Sequence, residues 1–192
     1  MSVAGAIVRP AGRPTGGWAG FSLLELIVAT AVAGIVLTSA WAWCWTLSAS
    51  CRAGAERADA ASTIAAVRRL TTAELGESLG LVAGAAVPCS ATSLAFTVPS
   101  TDAAGTDLVT YGYDAGRGVV WRKSPSSHLA ESVAAFSVLY LDARGQALSP
   151  GAGGDLAAAE LPLVRRVVLT VAVRSGAQST RAGWQVCLPC VT

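Results

Sequence analysis

The stretch Gly20-Phe21-Ser22-Leu23-Leu24-Glu25-Leu26-Ile27-Val28-Ala29 decides how this chain reads. It sets a single carboxylate near the start of a long apolar run, directly after a small residue. From Phe21 to Leu47 the only ionisable side chains are Glu25 and Cys44. Those 27 residues, as a helix rising about 1.5 Å per residue, span about 40 Å, more than the ~30 Å hydrocarbon core of a bilayer. A carboxylate in such a segment costs about 2.5–3.5 kcal/mol on insertion, so it marks function and calls for a cation. A cut between Gly20 and Phe21 supplies one, because the new α-amino group then lies about one helical turn from Glu25 or beside the Glu25 of a neighbouring copy. The plainer alternative is that Glu25 sits shallow and reaches the head groups.

Upstream, Met1 to Gly20 carries Arg9 and Arg13 and no acid, which holds this end on the cytoplasmic side and places the body across the membrane. A competing reading is an ordinary secretory signal, with small-residue cleavage patterns at Thr38-Ser39-Ala40 and Ala40-Trp41-Ala42. Against it stand the acid inside the apolar run and the length of that run.

With these residues in view, the segment resembles the class III signal of type IV pilins and type II secretion pseudopilins. Gly20 takes the place of the last leader residue, Phe21 of the first mature residue and Glu25 of the characteristic acid. The resemblance implies that a prepilin peptidase cleaves after Gly20 and methylates the amine of Phe21. It also implies that Glu25 sets the register of the subunit against its neighbours during assembly.

Composition limits the rest. At 192 residues the chain has room for one membrane helix and one modest domain. It is 53% hydrophobic, with mean hydropathy +0.52. With Arg9 and Arg13 set aside, 12 basic residues face 12 acidic ones. The mature chain is therefore near neutral and carries no electrostatic footprint for nucleic acid.

Beyond Leu47 the helix is expected to continue, because residues 51–75 are rich in Ala and set Ile64, Val67 and Leu75 at helical spacing. Trp41, Trp43 and Trp45 fall where that helix leaves the bilayer, the depth at which indoles anchor. Gly76, Gly80, Gly84 and Pro88 end the helical pattern. Strands follow at Leu94 to Val98 and Leu108 to Tyr113, then a turn over Asp114 to Gly118 and resumed alternation at Val119 and Trp121. Val133 to Leu141 places Phe136, Val138 and Tyr140 on one face, and Val164 to Val173 places Val167, Leu169, Val171 and Val173 on one face. Gly183 to Leu188 reads as a last strand. Leu148 to Leu161, with Pro150, Gly151, Gly153 and Gly154, reads as a mobile surface loop.

The expected fold class is α+β, with a long N-terminal transmembrane and amphipathic helix packed on an antiparallel β-sheet. Its domains are a leader at 1–20, a transmembrane half-helix at 21–47, an amphipathic periplasmic half at 48–79 and a globular sheet domain at 80–192. This order is similar to the pilin fold. Tyr111-Gly112-Tyr113-Asp114 leads into Gly118-Val119-Val120-Trp121-Arg122. Glu131-Ser132-Val133 with Phe136, Tyr140-Leu141-Asp142 with Gly145, and Arg165-Arg166-Val167 follow. Together they resemble the J-type minor pseudopilins and the W-type minor pilins over residues 110–175.

Of five cysteines, Cys44 lies in the membrane helix as a small apolar filler. Cys51, Cys89, Cys187 and Cys190 face an oxidising compartment. Cys187-Leu188-Pro189-Cys190 has dithiol spacing but lacks the helix whose N-terminus lowers a redox thiol's pKa. A zinc site from Cys89, Cys187 and Cys190 has no fourth ligand other than Cys51. A structural disulfide is the favoured reading, either Cys187 with Cys190 or one of them with Cys89, the latter closing a loop of about 100 residues worth up to 4.7 kcal/mol. His128, the single histidine, stands beside Ser126 and Ser127 without a nucleophile elbow. The glycine-rich run Gly151 to Gly154 lacks the Lys and Ser/Thr of a phosphate loop. Asp102, Asp107 and Asp155 are scattered.

The expectation is thus a non-catalytic single-pass inner-membrane subunit, without metal or cofactor, whose partners are prepilin peptidase, other pilins or pseudopilins in a filament tip and the inner-membrane lipid. A DNA-uptake or adhesive pilin, which a clustered arginine surface around Arg165, Arg166, Arg174 and Arg181 would favour, and a secreted or anchored enzyme are the alternatives.

Overall fold

The computed structural model describes residues 22–82, 86–100, 105–148, 150–151, 154–176 and 178–189. The chain divides into two compact units, Met1–Ala49 and Ser50–Thr192, and one helix, α1 (Leu23–Gly76), contributes to each.

Within the first unit α1 is apolar and exposed, with a mean hydropathy of 2.1 over its most apolar 18-residue window, none of it buried. It is long and apolar enough to cross a membrane. Its hydroxyls are satisfied locally: Thr30 donates to Leu26 O at 3.0 Å, Thr38 to Gly34 O at 2.9 Å and Thr46 to Ala42 O at 3.1 Å. Such back-bonding lets Thr sit in lipid without an unpaired donor.

In the second unit α1 buries Ala60, Ile64, Val67, Thr71 and Leu75, spaced by three or four residues as one helical stripe requires. Ile64, Val67 and Leu75 are the residues that the sequence pattern picks out. The helix stops at Gly76.

Nine strands follow: β1 (Gly80–Leu81), β2 (Ser93–Pro99), β3 (Thr106–Asp114), β4 (Val119–Arg122), β5 (His128–Ala130), β6 (Val133–Leu141), β7 (Ala147–Leu148), β8 (Arg166–Ser175) and β9 (Gln178–Cys187). They form two antiparallel sheets, ordered β1-β2-β3-β4-β5 and β7-β6-β8-β9, where the sequence led us to expect one. The break falls between β5 and β6, joined only by Glu131 and Ser132, and Ser132 takes φ 59, which a non-glycine residue seldom adopts. Tyrosines tie the sheets together. Tyr113 on β3 donates to Val133 O at 3.1 Å, and Tyr140 on β6 donates to Ser93 O at 2.7 Å.

The inward faces match the alternation read from sequence. Phe136, Val138 and Tyr140 on β6 and Val167, Leu169, Val171 and Val173 on β8 are buried, in one core with Leu94, Phe96, Val109 and the helix stripe. Two corrections follow. β9 begins at Gln178, five residues before the expected strand, because Gly176 at φ 57 closes a tight β8–β9 hairpin. The segment 148–161 is not merely a free loop: Leu156 and Leu161 join the core, and Ser90 bridges Asp155.

Candidate functional site

Glu25 occupies the first turn of α1, where Leu26 N donates to Ser22 O at 3.1 Å to start the helix. An acid at a helix N-terminus is favoured by the positive end of the macrodipole. Around it Leu23, Leu24, Leu26 and Ile27 are all exposed, so the carboxylate stands in an exposed apolar surface. Gly20 and Phe21 lie outside the described residues. Further along, Trp41, Trp43 and Trp45 are 73%, 71% and 69% exposed. Trp43 lies 18 residues beyond Glu25, about 27 Å along the axis at 1.5 Å per residue, close to the thickness of a hydrocarbon core. The geometry thus places an acid and an indole belt one membrane thickness apart.

Where the second half of α1 meets the sheets, sequence reasoning missed a polar anchor. Glu74 accepts from Arg122 Nε at 3.1 Å, from the Arg122 terminal nitrogen and from the Tyr111 hydroxyl. Burial, then the Glu74 contact, pushes the Tyr111 phenol far above its ordinary range, and the Glu74 bond raises Arg122. On the other sheet Trp184 Nε1 donates to the buried Thr71 hydroxyl at 3.3 Å. The only early signal for Glu74 was a carboxylate two residues from the glycine that ends the helix.

Of the expected cysteine pairings, only Cys89 with Cys187 falls wholly on described residues. Cys89 and Cys187 are both free, Cys89 buried with its thiol donating to Ala95 O at 3.4 Å and Cys187 exposed at the end of β9, so the long Cys89–Cys187 closure is not formed. Cys190 lies outside the described residues. Burial pushes the Cys89 thiol up. Cys44 and Cys51 are exposed on α1. His128 Nδ1 lies 3.2 Å from Glu131 Oε1, while Ser126 pairs with Ser124 at 2.8 Å. Of the scattered acids, Asp102 lies outside the described residues, Asp107 is on β3 and the backbone of Asp155 forms an isolated β-bridge with Ser90. Among the described residues no three His, Cys, Asp or Glu side chains are grouped to hold a metal.

The family model for the prokaryotic N-terminal methylation motif matches residues 19–41, the window that holds Gly20, Phe21, Glu25 and most of the exposed apolar helix. No curated protein and no solved structure matches the chain. The motif implies cleavage by prepilin peptidase and assembly with other pilins, and the apolar helix behind it implies a membrane anchor. That signal leads into a long helix whose second half packs on antiparallel sheets, so the chain carries a type IV pilin-like signal on a pilin-like α+β arrangement.

Proposed function

We propose that this protein is a minor pseudopilin or minor pilin, a structural subunit of a type II secretion pseudopilus or type IV pilus. It enters the filament through its N-terminal helix, with its sheet domain on the extracytoplasmic side. One observation carries the reading: the methylation motif sets Gly20, Phe21 and Glu25 at the head of an exposed apolar helix. After cleavage and methylation at Phe21, packing against neighbouring helices covers the apolar surface, and the Glu25 carboxylate meets an amine and fixes axial register. The J-type and W-type resemblance over residues 110–175 supports the minor class.

The alternatives draw less support. Arg166 and Arg174 stand at opposite ends of β8, about 26 Å apart at 3.3 Å per residue, so the clustered arginine surface that would favour a nucleic-acid role is not formed by these residues. His128 faces Glu131 rather than a nucleophile, which supports a non-catalytic subunit.

The test is the N-terminal mass of the mature chain from native membranes. N-methylated Phe21 is expected, and a start at Trp41 or Trp43 overturns the reading. Glu25→Gln is then expected to leave cleavage intact and to lower incorporation into filaments at least about tenfold, the effect of one lost charge pair worth about 1.4 kcal/mol. Deleting the protein separates the two systems: loss of exported protein marks a pseudopilin, and loss of surface pili marks a minor pilin.

A further inference from the structure

β9 closes one side of the four-stranded sheet, and its ten residues pair with β8 without a bulge, from Ser175↔Gln178 to Arg166↔Cys187. In an antiparallel ladder, residues whose N–H and C=O groups bond the neighbouring strand alternate with residues whose groups point away. Leu188 N donates to Arg165 O at 2.9 Å, while Arg174 N turns to Ser132 O at 2.8 Å. The odd-numbered residues of β8 therefore face β9, and the even-numbered residues of β9 face β8. It follows that Ser179, Arg181, Gly183, Gln185 and Cys187 turn their backbone groups outward. Among the described residues nothing in the backbone bonds them.

This edge differs from the others. β1 and β7 have two residues each and β5 has three, lengths that leave little to pair with. Proteins blunt long edges with proline, bulges or inward charges. β9 has neither proline nor bulge, and Gly183 leaves its centre without a side chain.

The charge beside the edge indicates what fits it. Arg181 pairs across from Ala172 and Arg174 from Ser179, so the two arginines are diagonal neighbours on the outer face. Both are exposed, and neither has an ion-pair partner among the described residues. Neither β8 nor β9 contains an acid, so β9 pairing with a second β9 would set cation against cation.

We propose that β9 is a docking edge for an extended segment of a different protein, which adds as a fifth strand beside β9 and sets Asp or Glu side chains against Arg174 and Arg181. Backbone bonds supply the affinity, and the two arginines select the strand. The inference does not use Glu25 or the motif, so it stands or falls apart from the filament reading.

The experiment is residue-resolved hydrogen exchange on the full chain in detergent micelles, with an acetylated eight-residue peptide alternating glutamate and valine as the probe and its lysine counterpart as control. The amides of residues 179, 181, 183, 185 and 187 are expected to exchange freely in the chain alone and to slow at least tenfold with the glutamate peptide only. Gln185→Pro removes one outward donor while leaving the bonds to β8, and it should abolish the slowing. Arg181→Glu should weaken the glutamate peptide and admit the lysine one. Unchanged exchange at saturating glutamate peptide overturns the proposal, as does equal slowing by both peptides. Slow exchange of these amides without peptide also overturns it, since a second copy or this chain then holds the edge.

Discussion

Arg122 on β4 and Glu74 on α1 are 48 residues apart in sequence, yet Arg122 Nε donates to Glu74 Oε2 at 3.1 Å, and a second guanidinium nitrogen reaches Oε1. The side chains retain only 28% and 15% of their exposure, so water screens the pair weakly. The Tyr111 hydroxyl takes a further share of the carboxylate, which fixes both the azimuth and the axial position of the helix on β3 and β4.

Removing one partner should therefore cost more than a surface ion pair would. Arg122→Ala is expected to destabilise the chain by about 2–4 kcal/mol, below a fully buried pair because some water remains. Replacing both members, Glu74→Leu with Arg122→Leu, should cost less than the single change, because no carboxylate is left stranded. Urea unfolding in detergent measures both. An equal or larger loss in the double variant would mean that the pair itself, not the stranded charge, holds the helix.

Gly112 lies opposite Trp121 in the β3–β4 ladder, and a Cβ built on it would overlap the six-membered ring of the indole. The glycine makes room for the ring to lie flat on the sheet. Gly112→Ala is expected to expel the indole and cost about 1–3 kcal/mol. Trp121 fluorescence, isolated by replacing the other tryptophans with phenylalanine, should shift to the red; unchanged emission and stability would show that the ring can slide aside.

Three buried groups share one pH dependence. Burial is the first cause that raises Cys89 above its ordinary 9.0, and Tyr111 and Tyr140 above their ordinary 10.0. A raised folded-state pKa gives stability that is complete below the unfolded value and is lost as pH climbs toward the folded value. Stability should thus be insensitive to these groups up to about pH 9, then fall, steepening past pH 10 by up to about 1.4 kcal/mol per pH unit for each group. Thermal unfolding between pH 7 and 11 checks this, and Tyr140→Phe should flatten the upper limb. A stability that stays level to pH 11 is the contrary result.

Thiol labelling resolves the cysteines. Cys51 and Cys187 are exposed and Cys89 is buried, so a hydrophilic maleimide should modify the first two in the folded chain and Cys89 only after denaturant is added. If Cys187 reacts only after a reductant, the pairing with Cys190 is present in the native protein. Prompt labelling of Cys89 would contradict its place in the core.

Local pattern along the chain is enough to specify several of these features. Glu25 after Gly20 in an uninterrupted apolar run identified the signal and the membrane helix, because lipid admits few charges and each one is conspicuous. Period-two alternation named the buried faces of β6 and β8, and period-3.6 spacing named Ile64, Val67 and Leu75, because each face must turn toward an apolar core. Tertiary structure alone decided which strands share a sheet, since alternation tells a residue's face but not its partner strand, and the switch rests on Ser132. It also drew Leu156 and Leu161 out of a glycine-rich stretch into the core, and it kept Cys89 and Cys187 from pairing with each other. The Glu74–Arg122–Tyr111 contact depended on it as well. Each of these is a meeting of residues distant along the chain, fixed by packing and charge pairing in three dimensions and therefore without a local signature.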